Sequence, residues 1–148
     1  MQPILHLSIP VRDLDEARDF YVDTLGCLAA RARPGFQDVW FYGMQVTLHD
    51  RADEVTALAP GTSRHFGVAL ARGEFDAVVE RLAQSPADRP VQWLVPVTTD
   101  DPGTPMEQTK TKLADPSGNV IELKTYRNVA HALEISPHSY PEELAHGN

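Results

Sequence analysis

A chain of 148 residues, 42% hydrophobic and 23% charged, is about one domain's worth of ordinary soluble protein with a sizeable core. A formal charge of −8 with no run of Lys or Arg excludes a nucleic-acid footprint, and no apolar run approaches the roughly 20 residues of a membrane span. The single cysteine, Cys27, excludes a disulfide framework and a thiolate zinc cluster, and with no basic, then apolar, leader the sequence reads as cytoplasmic.

Residues 4–9 alternate as a strand, with Leu5, Leu7 and Ile9 on one face and Ile4, His6 and Ser8 on the other. Pro10 ends it. Asp13 followed by Glu16 forms a capping box, and Leu14, Ala17, Phe20, Tyr21, Thr24 and Leu25 give the next helix an apolar stripe that Gly26 stops. That stripe can cover the Leu5-Leu7-Ile9 face. Residues 37–42 read as a strand, Gly43-Met44 as a hairpin turn, and residues 45–49 as the return strand, with Gln45, Thr47 and His49 on one face. Residues 27–32 can add a further strand, and residues 51–63 lack any period and read as a linker.

The pattern then restarts. Residues 64–71 alternate, with Phe66, Val68 and Leu70 against His65, Gly67 and Ala69, and residues 74–84 follow as a helix with Phe75, Val78, Val79 and Leu82 inward. Residues 91–97 form a strand, residues 98–107 a polar Pro-Gly loop, and residues 109–113 pair with 120–124 through a tight turn. That turn, in L-A-D-P-S-G-N-V-I-E-L-K (113–124), is dense in Pro, Gly, Asp and Asn because each suits a reversal for its own reason. Past it, Ile121 and Leu123 share one face, and Val120, Glu122 and Lys124 the other. Residues 128–148 read as a tail with one short helix near 129–133, in which His131, His138 and His146 are exposed polar residues.

Two units of β-α-β-β-β, pseudo-repeats 4–50 and 64–126, therefore follow one another. Each has a helix on one face of its sheet, so the second faces are left over and can curl into a partly open cleft. His6, His65 and Glu122 all occupy second-face positions. Two imidazoles and a carboxylate suit a divalent first-row metal with positions open for substrate or dioxygen. The alternative is two ordinary strand histidines and a Glu122 paired with a lysine such as Lys112.

The stretch L-H-L-S-I-P-V-R-D-L-D-E-A-R-D-F-Y-V-D-T-L-G-C, the R-H-F-G-V strand and the D-P-S-G-N-V-I-E-L-K ending together resemble the vicinal oxygen chelate superfamily, which holds glyoxalase I, bleomycin-resistance proteins, fosfomycin-resistance enzymes and type I extradiol dioxygenases. The resemblance covers residues 4–126. It implies an α+β fold in which two paired β-α-β-β-β modules form a curved, partly open eight-stranded sheet around a metal-binding cleft, as one domain over residues 1–127. His6, His65 and Glu122 match the first, third and fourth ligand positions. The second position, a glutamate in glyoxalase I-like members, here falls among Gln45, Thr47 and His49. The resemblance further implies one divalent metal (Fe, Mn, Zn, Ni or Co), a small oxygenated substrate and a homodimer. The chemistry implied is dioxygenase-like or lyase/isomerase, with the metal as Lewis acid or dioxygen carrier; Tyr126, in phase with Glu122, could then serve as an acid or hydrogen-bond donor. The competing expectation is a non-catalytic binder of the bleomycin-resistance kind, for which an acidic chain suits a cationic guest.

Overall fold

Val11, Val39, Val46 and Leu48 in the first half, and Leu113, Ile121 and Leu123 in the second, are fully buried, and they mark one face of each of two sheets. The computed structural model describes residues 3–59 and 61–134. The first module is β1 (Leu5–Val11), α1 (Leu14–Arg18), β2 (Leu28–Arg33), β3 (Phe36–Phe41) and β4 (Met44–Asp50). The second is β5 (Phe66–Ala69), α2 (Arg72–Ala83), β6 (Gln92–Asp100), β7 (Gln108–Ala114) and β8 (Val120–Tyr126), and α3 (Val129–Ala132) follows.

Each module makes its own four-stranded sheet, β1-β4-β3-β2 and β5-β8-β7-β6. The first and last strands of each module pair in parallel and the other neighbours are antiparallel. The expected α+β architecture is therefore present, as two open sheets. Their apolar faces join in one core, where the rings of Phe41 and Phe66 meet at 5.4 Å across the module boundary. Each fully buried Leu, Phe or Val side chain contributes about 1.5–3 kcal/mol to this arrangement.

Local chemistry explains most boundaries. Asp13 accepts the Glu16 N–H at 2.8 Å and caps α1, but Glu16 pairs with Arg12 at 2.6 Å instead of closing the capping box. Beyond Arg18 the helix widens into a π-helical segment (Asp19–Thr24), in which the Leu25 N–H donates to the Phe20 carbonyl at 2.8 Å. Gly26 ends it at φ +88°. Residues 27–32 do supply the additional strand, and Cys27 is a core residue whose thiol burial pushes up to about 12.

Several boundaries differ from expectation. Strand β1 runs through Pro10 to Val11, which an edge strand tolerates because the missing N–H removes no ladder bond. The hairpin turns at Tyr42-Gly43, not Gly43-Met44, with φ of 45° and 99°, the doubly left-handed pair that matches strand twist. Strand β5 is shorter than residues 64–71, and β6 continues to Asp100 by absorbing two register shifts, so the polar loop shrinks to residues 101–107.

The 115–119 turn does more than reverse the chain. One Asp115 oxygen accepts the Ser117 and Asn119 N–H groups at 2.9 and 2.8 Å, and the other accepts the Tyr21 hydroxyl at 2.9 Å. Asn119 Nδ2 donates to the Pro10 carbonyl at 3.0 Å, and Ser117 Oγ accepts the Arg12 N–H at 2.9 Å. The turn thus ties the end of β1 and the first helix to the second module. Residues 51–63, apart from a 3-10 turn at Ala52–Glu54, are irregular in their described part, as a linker should be. In the tail, Asn128 caps α3 by accepting the His131 N–H at 3.1 Å. His138 and His146 lie outside the described residues. Among those residues, no helix is long and apolar enough to cross a membrane.

Candidate functional site

The face of the second sheet turned away from the core holds a cluster of ionisable groups. Register places Lys112 opposite Glu122, Lys110 opposite Lys124 and Gln108 opposite Tyr126, and Gly67 lies beside Glu122 on its other flank. Gly67 is required there: a Cβ would come within 1.9 Å of the Glu122 carbonyl oxygen. That close approach brings the start of β5, and with it His65, against the carboxylate.

Glu122 is 7% exposed. Its Oε2 lies 2.8 Å from Lys124 Nζ and 3.4 Å from His65 Nε2, and its Oε1 lies 3.9 Å from Lys112 Nζ. Burial pushes the Glu122 carboxyl up, but the hydrogen bond and charge of Lys124, with Lys112 and His65 behind them, outweigh burial and hold it below the ordinary carboxylate range. Lys124 is the mirror case: burial lowers it, and Glu122 more than compensates.

His65 Nδ1 is 2.8 Å from the Ser63 carbonyl, which accepts its N–H. In the neutral ring this leaves the lone pair on Nε2, aimed at a carboxylate oxygen. With a neutral ring a divalent cation could sit between that lone pair and the anionic oxygen; with a protonated ring Nε2–H would itself donate to Glu122. Two donors bonded at about 2.1 Å to one near-tetrahedral metal lie about 3.4 Å apart, so the spacing suits a shared divalent ion. Two features oppose a complete site within one chain. The Lys124 ammonium already sits on Oε2, and among the described residues no group of three His, Cys, Asp or Glu gathers closely enough to hold a metal.

His6 is therefore not brought to the pair. It lies on the corresponding face of the first sheet, exposed, with Nε2 3.3 Å from Ser8 Oγ and with Gln45 as its register partner on β4. His49 shares that face and packs tilted against the Phe36 ring at 5.9 Å. Gln45 and Thr47 both donate to Asp38, at 3.1 and 2.6 Å, and Arg31 Nη2 reaches the same carboxylate at 3.1 Å. Burial pushes Asp38 up, and these donors hold it below its ordinary range. Asp38 is the residue the sequence reading passed over. The signal was available, since a carboxylate within β3 raises the same question of partners as Glu122 on β8. Tyr126 is the last residue of β8, on the Glu122 face, with Lys124 Nζ 5.9 Å from its ring centre.

Two β-α-β-β-β modules in sequence, each with its own open four-stranded sheet, define a class of α+β fold. A glyoxalase/bleomycin resistance protein/dioxygenase from Alicyclobacillus acidocaldarius shares it at 34% identity and TM-score 0.74, over 85% of this chain and 92% of that one. The fosfomycin resistance protein FosX from Listeria monocytogenes is 12% identical with TM-score 0.66, over 89% and 98% of the two chains. A lactoylglutathione lyase from Agrobacterium tumefaciens is 20% identical with TM-score 0.56, over 84% and 94%. The last two are likenesses of fold alone. No curated protein matches. Residues 3–123 match the model of the Glyoxalase/Bleomycin resistance protein/Dioxygenase superfamily, and the chain belongs to that family.

Proposed function

We propose that the protein is a metal-dependent enzyme of the vicinal oxygen chelate type, cytoplasmic, acting on a small oxygenated substrate by dioxygenase-like or lyase/isomerase chemistry. The observation that carries this reading is the His65–Glu122 pair, with Nε2 3.4 Å from the carboxylate and Nδ1 held by the Ser63 carbonyl. His65 and Glu122 would hold one divalent ion, iron, manganese, zinc, nickel or cobalt, with His6 as a third ligand. Gln45 or His49 would supply a fourth, and of the two Gln45 is register partner to His6. When bound, the ion offers a Lewis acid to two neighbouring substrate oxygens, or a seat for dioxygen.

His6 reaches the site in a homodimer, so that His65 and Glu122 of one subunit meet His6 of the partner subunit. Two features support this. No third ligand is near the pair among the described residues of one chain, and the first sheet leaves apolar surface uncovered, with Leu5 and Leu28 69% and 68% exposed. Residues 1–127 then act as one domain and the 128–148 tail stands outside it. The chain's own residues prepare the reaction: the Ser63 carbonyl fixes the His65 tautomer, Lys124 keeps Glu122 ionised until the ion takes its place, and Tyr126 donates a proton or hydrogen bond to substrate.

One observation favours a second reading. Lys124 satisfies Glu122 much as a metal would, so the face could bind a small molecule without chemistry, as in a resistance-type binder. Metal content by plasma mass spectrometry, on untagged protein purified without chelator, separates the two. Near one equivalent per chain, lost in Glu122→Ala, is the expected result. Wild-type protein that stays empty after metal is offered would leave only the binder.

A further inference from the structure

All three lysines of the chain, Lys110, Lys112 and Lys124, lie on one sheet face around Glu122; the other ten of the 13 Lys and Arg side chains are arginines distributed elsewhere. Their side chains are 25–32% exposed, half sunk into the face with the ammonium ends reaching water. Lys110 and Lys124 stand directly opposite one another in antiparallel strands, a pairing of like charges that costs stability unless an anion offsets it. The resident anions are too few. Asp100 takes Lys110 at 2.5 Å and Glu122 takes Lys124 at 2.8 Å, which leaves Lys112 with only the 3.9 Å approach to Glu122 and no hydrogen bond among the described residues. An ammonium has three N–H donors, so Lys112 presents unused ones beside the His65–Glu122 pair. In a chain of net charge −8, this face carries three ammoniums against two carboxylates.

We propose that this face recognises an anionic group on the substrate, a carboxylate, phosphate or phosphonate, with Lys112 as the principal contact and Lys124 as the second. The substrate class is then a small oxygenated anion. The cationic guest that net charge alone suggests is disfavoured, because local charge at the site has the opposite sign to the total. This inference rests on the functional reading above only in taking the face as the substrate's; it does not require a metal. A cation that displaces Lys124 from Glu122 would free a second ammonium for the same anion, so metal and anion would assist each other.

The test is a phosphorus-31 shift titration of the protein as purified with phenylphosphonate, and calorimetric titrations with benzyl alcohol and benzylamine as neutral and cationic analogues. Saturable binding of the phosphonate alone is expected. Lys112→Met and Lys124→Met should each weaken it about tenfold, Lys112→Arg and Lys124→Arg should keep it, and Arg18→Met on α1 should leave it unchanged. Equal binding of the three analogues, no saturation with the phosphonate, or methionine variants that bind like the wild type would overturn the inference. Metal measured in the same samples keeps the two readings apart. Metal present without anion preference refutes this inference alone, and anion preference without metal refutes only the metal reading.

Discussion

Asp38 on β3 and Glu122 on β8 are the same kind of residue in the same kind of place, carboxylates 3% and 7% exposed in mid-strand on the face away from the core. Their partners differ. Asp38 is closed off by Arg31, Gln45 and Thr47, each of which donates to it, and no imidazole contacts it among the described residues. Glu122 has a more loosely held set, one lysine at 2.8 Å, another at 3.9 Å, and a histidine nitrogen at 3.4 Å. A fully satisfied buried carboxylate is a structural part; one held by exchangeable cations can take a ligand. The same strand order therefore yields one mid-strand carboxylate that braces a sheet and one that can bind.

Exchanging the roles of these carboxylates by mutation should break the comparison if it is wrong. The largest effect is expected at Glu122→Ala, with metal lost altogether and turnover with it, read by metal analysis beside activity. Asp38→Ala should do the reverse. It leaves Arg31, Gln45 and Thr47 without their acceptor, so urea unfolding should show a loss of about 2–4 kcal/mol while metal per folded chain is retained. Removing the competing cation sharpens the contrast: Lys124→Met should raise metal affinity about tenfold, measured by equilibrium dialysis, because an ammonium at 2.8 Å no longer repels the ion. Smaller again is Tyr21→Phe, which deletes the hydroxyl donated to buried Asp115 and should cost about 1–2 kcal/mol in thermal unfolding.

Acid should also tell the two halves' structural carboxylates apart. Asp38 is held below its ordinary range in the folded state, so its contribution is present above the unfolded value of about 4 and is lost as pH falls through the lower folded value. Asp115 is pushed up by burial, against the hydrogen bonds of Asn119, Tyr21 and Ser117 that lower it. Its contribution has the opposite sign, with stability falling as pH rises from the unfolded value through the folded one. Stability followed against pH should therefore fall less steeply on the acid side in Asp38→Asn, and the variant should be less stable than the wild type at neutral pH.

The elements legible in the sequence were those decided locally. The Asp13 cap, the Gly26 stop and the Asp115-Gly118 turn each rest on a side chain acting within five residues, and strand alternation alone put His65 and Glu122 on one face. What was less legible depends on neighbours distant in sequence. The two-residue turn moved to Tyr42-Gly43 because the β3–β4 register pairs Phe41 with Met44. The π-helical widening leaves the apolar stripe intact, so periodicity does not report it. Parity puts His6 on a second face but says nothing of which sheet faces it, and within one chain none brings it to Glu122.

The most direct test of a shared site is subunit mixing. His6→Ala and Glu122→Ala homodimers should each be devoid of metal, since every site lacks a ligand. Exchanged together at low concentration and reassociated, they should form mixed dimers with one site missing both groups and one intact, so that roughly one site in four regains metal after random pairing. Recovery on mixing is the predicted result. Full metal retention in His6→Ala, or no recovery from mixtures shown to contain mixed dimers, would contradict a site built from His65 and Glu122 of one subunit and His6 of the partner subunit.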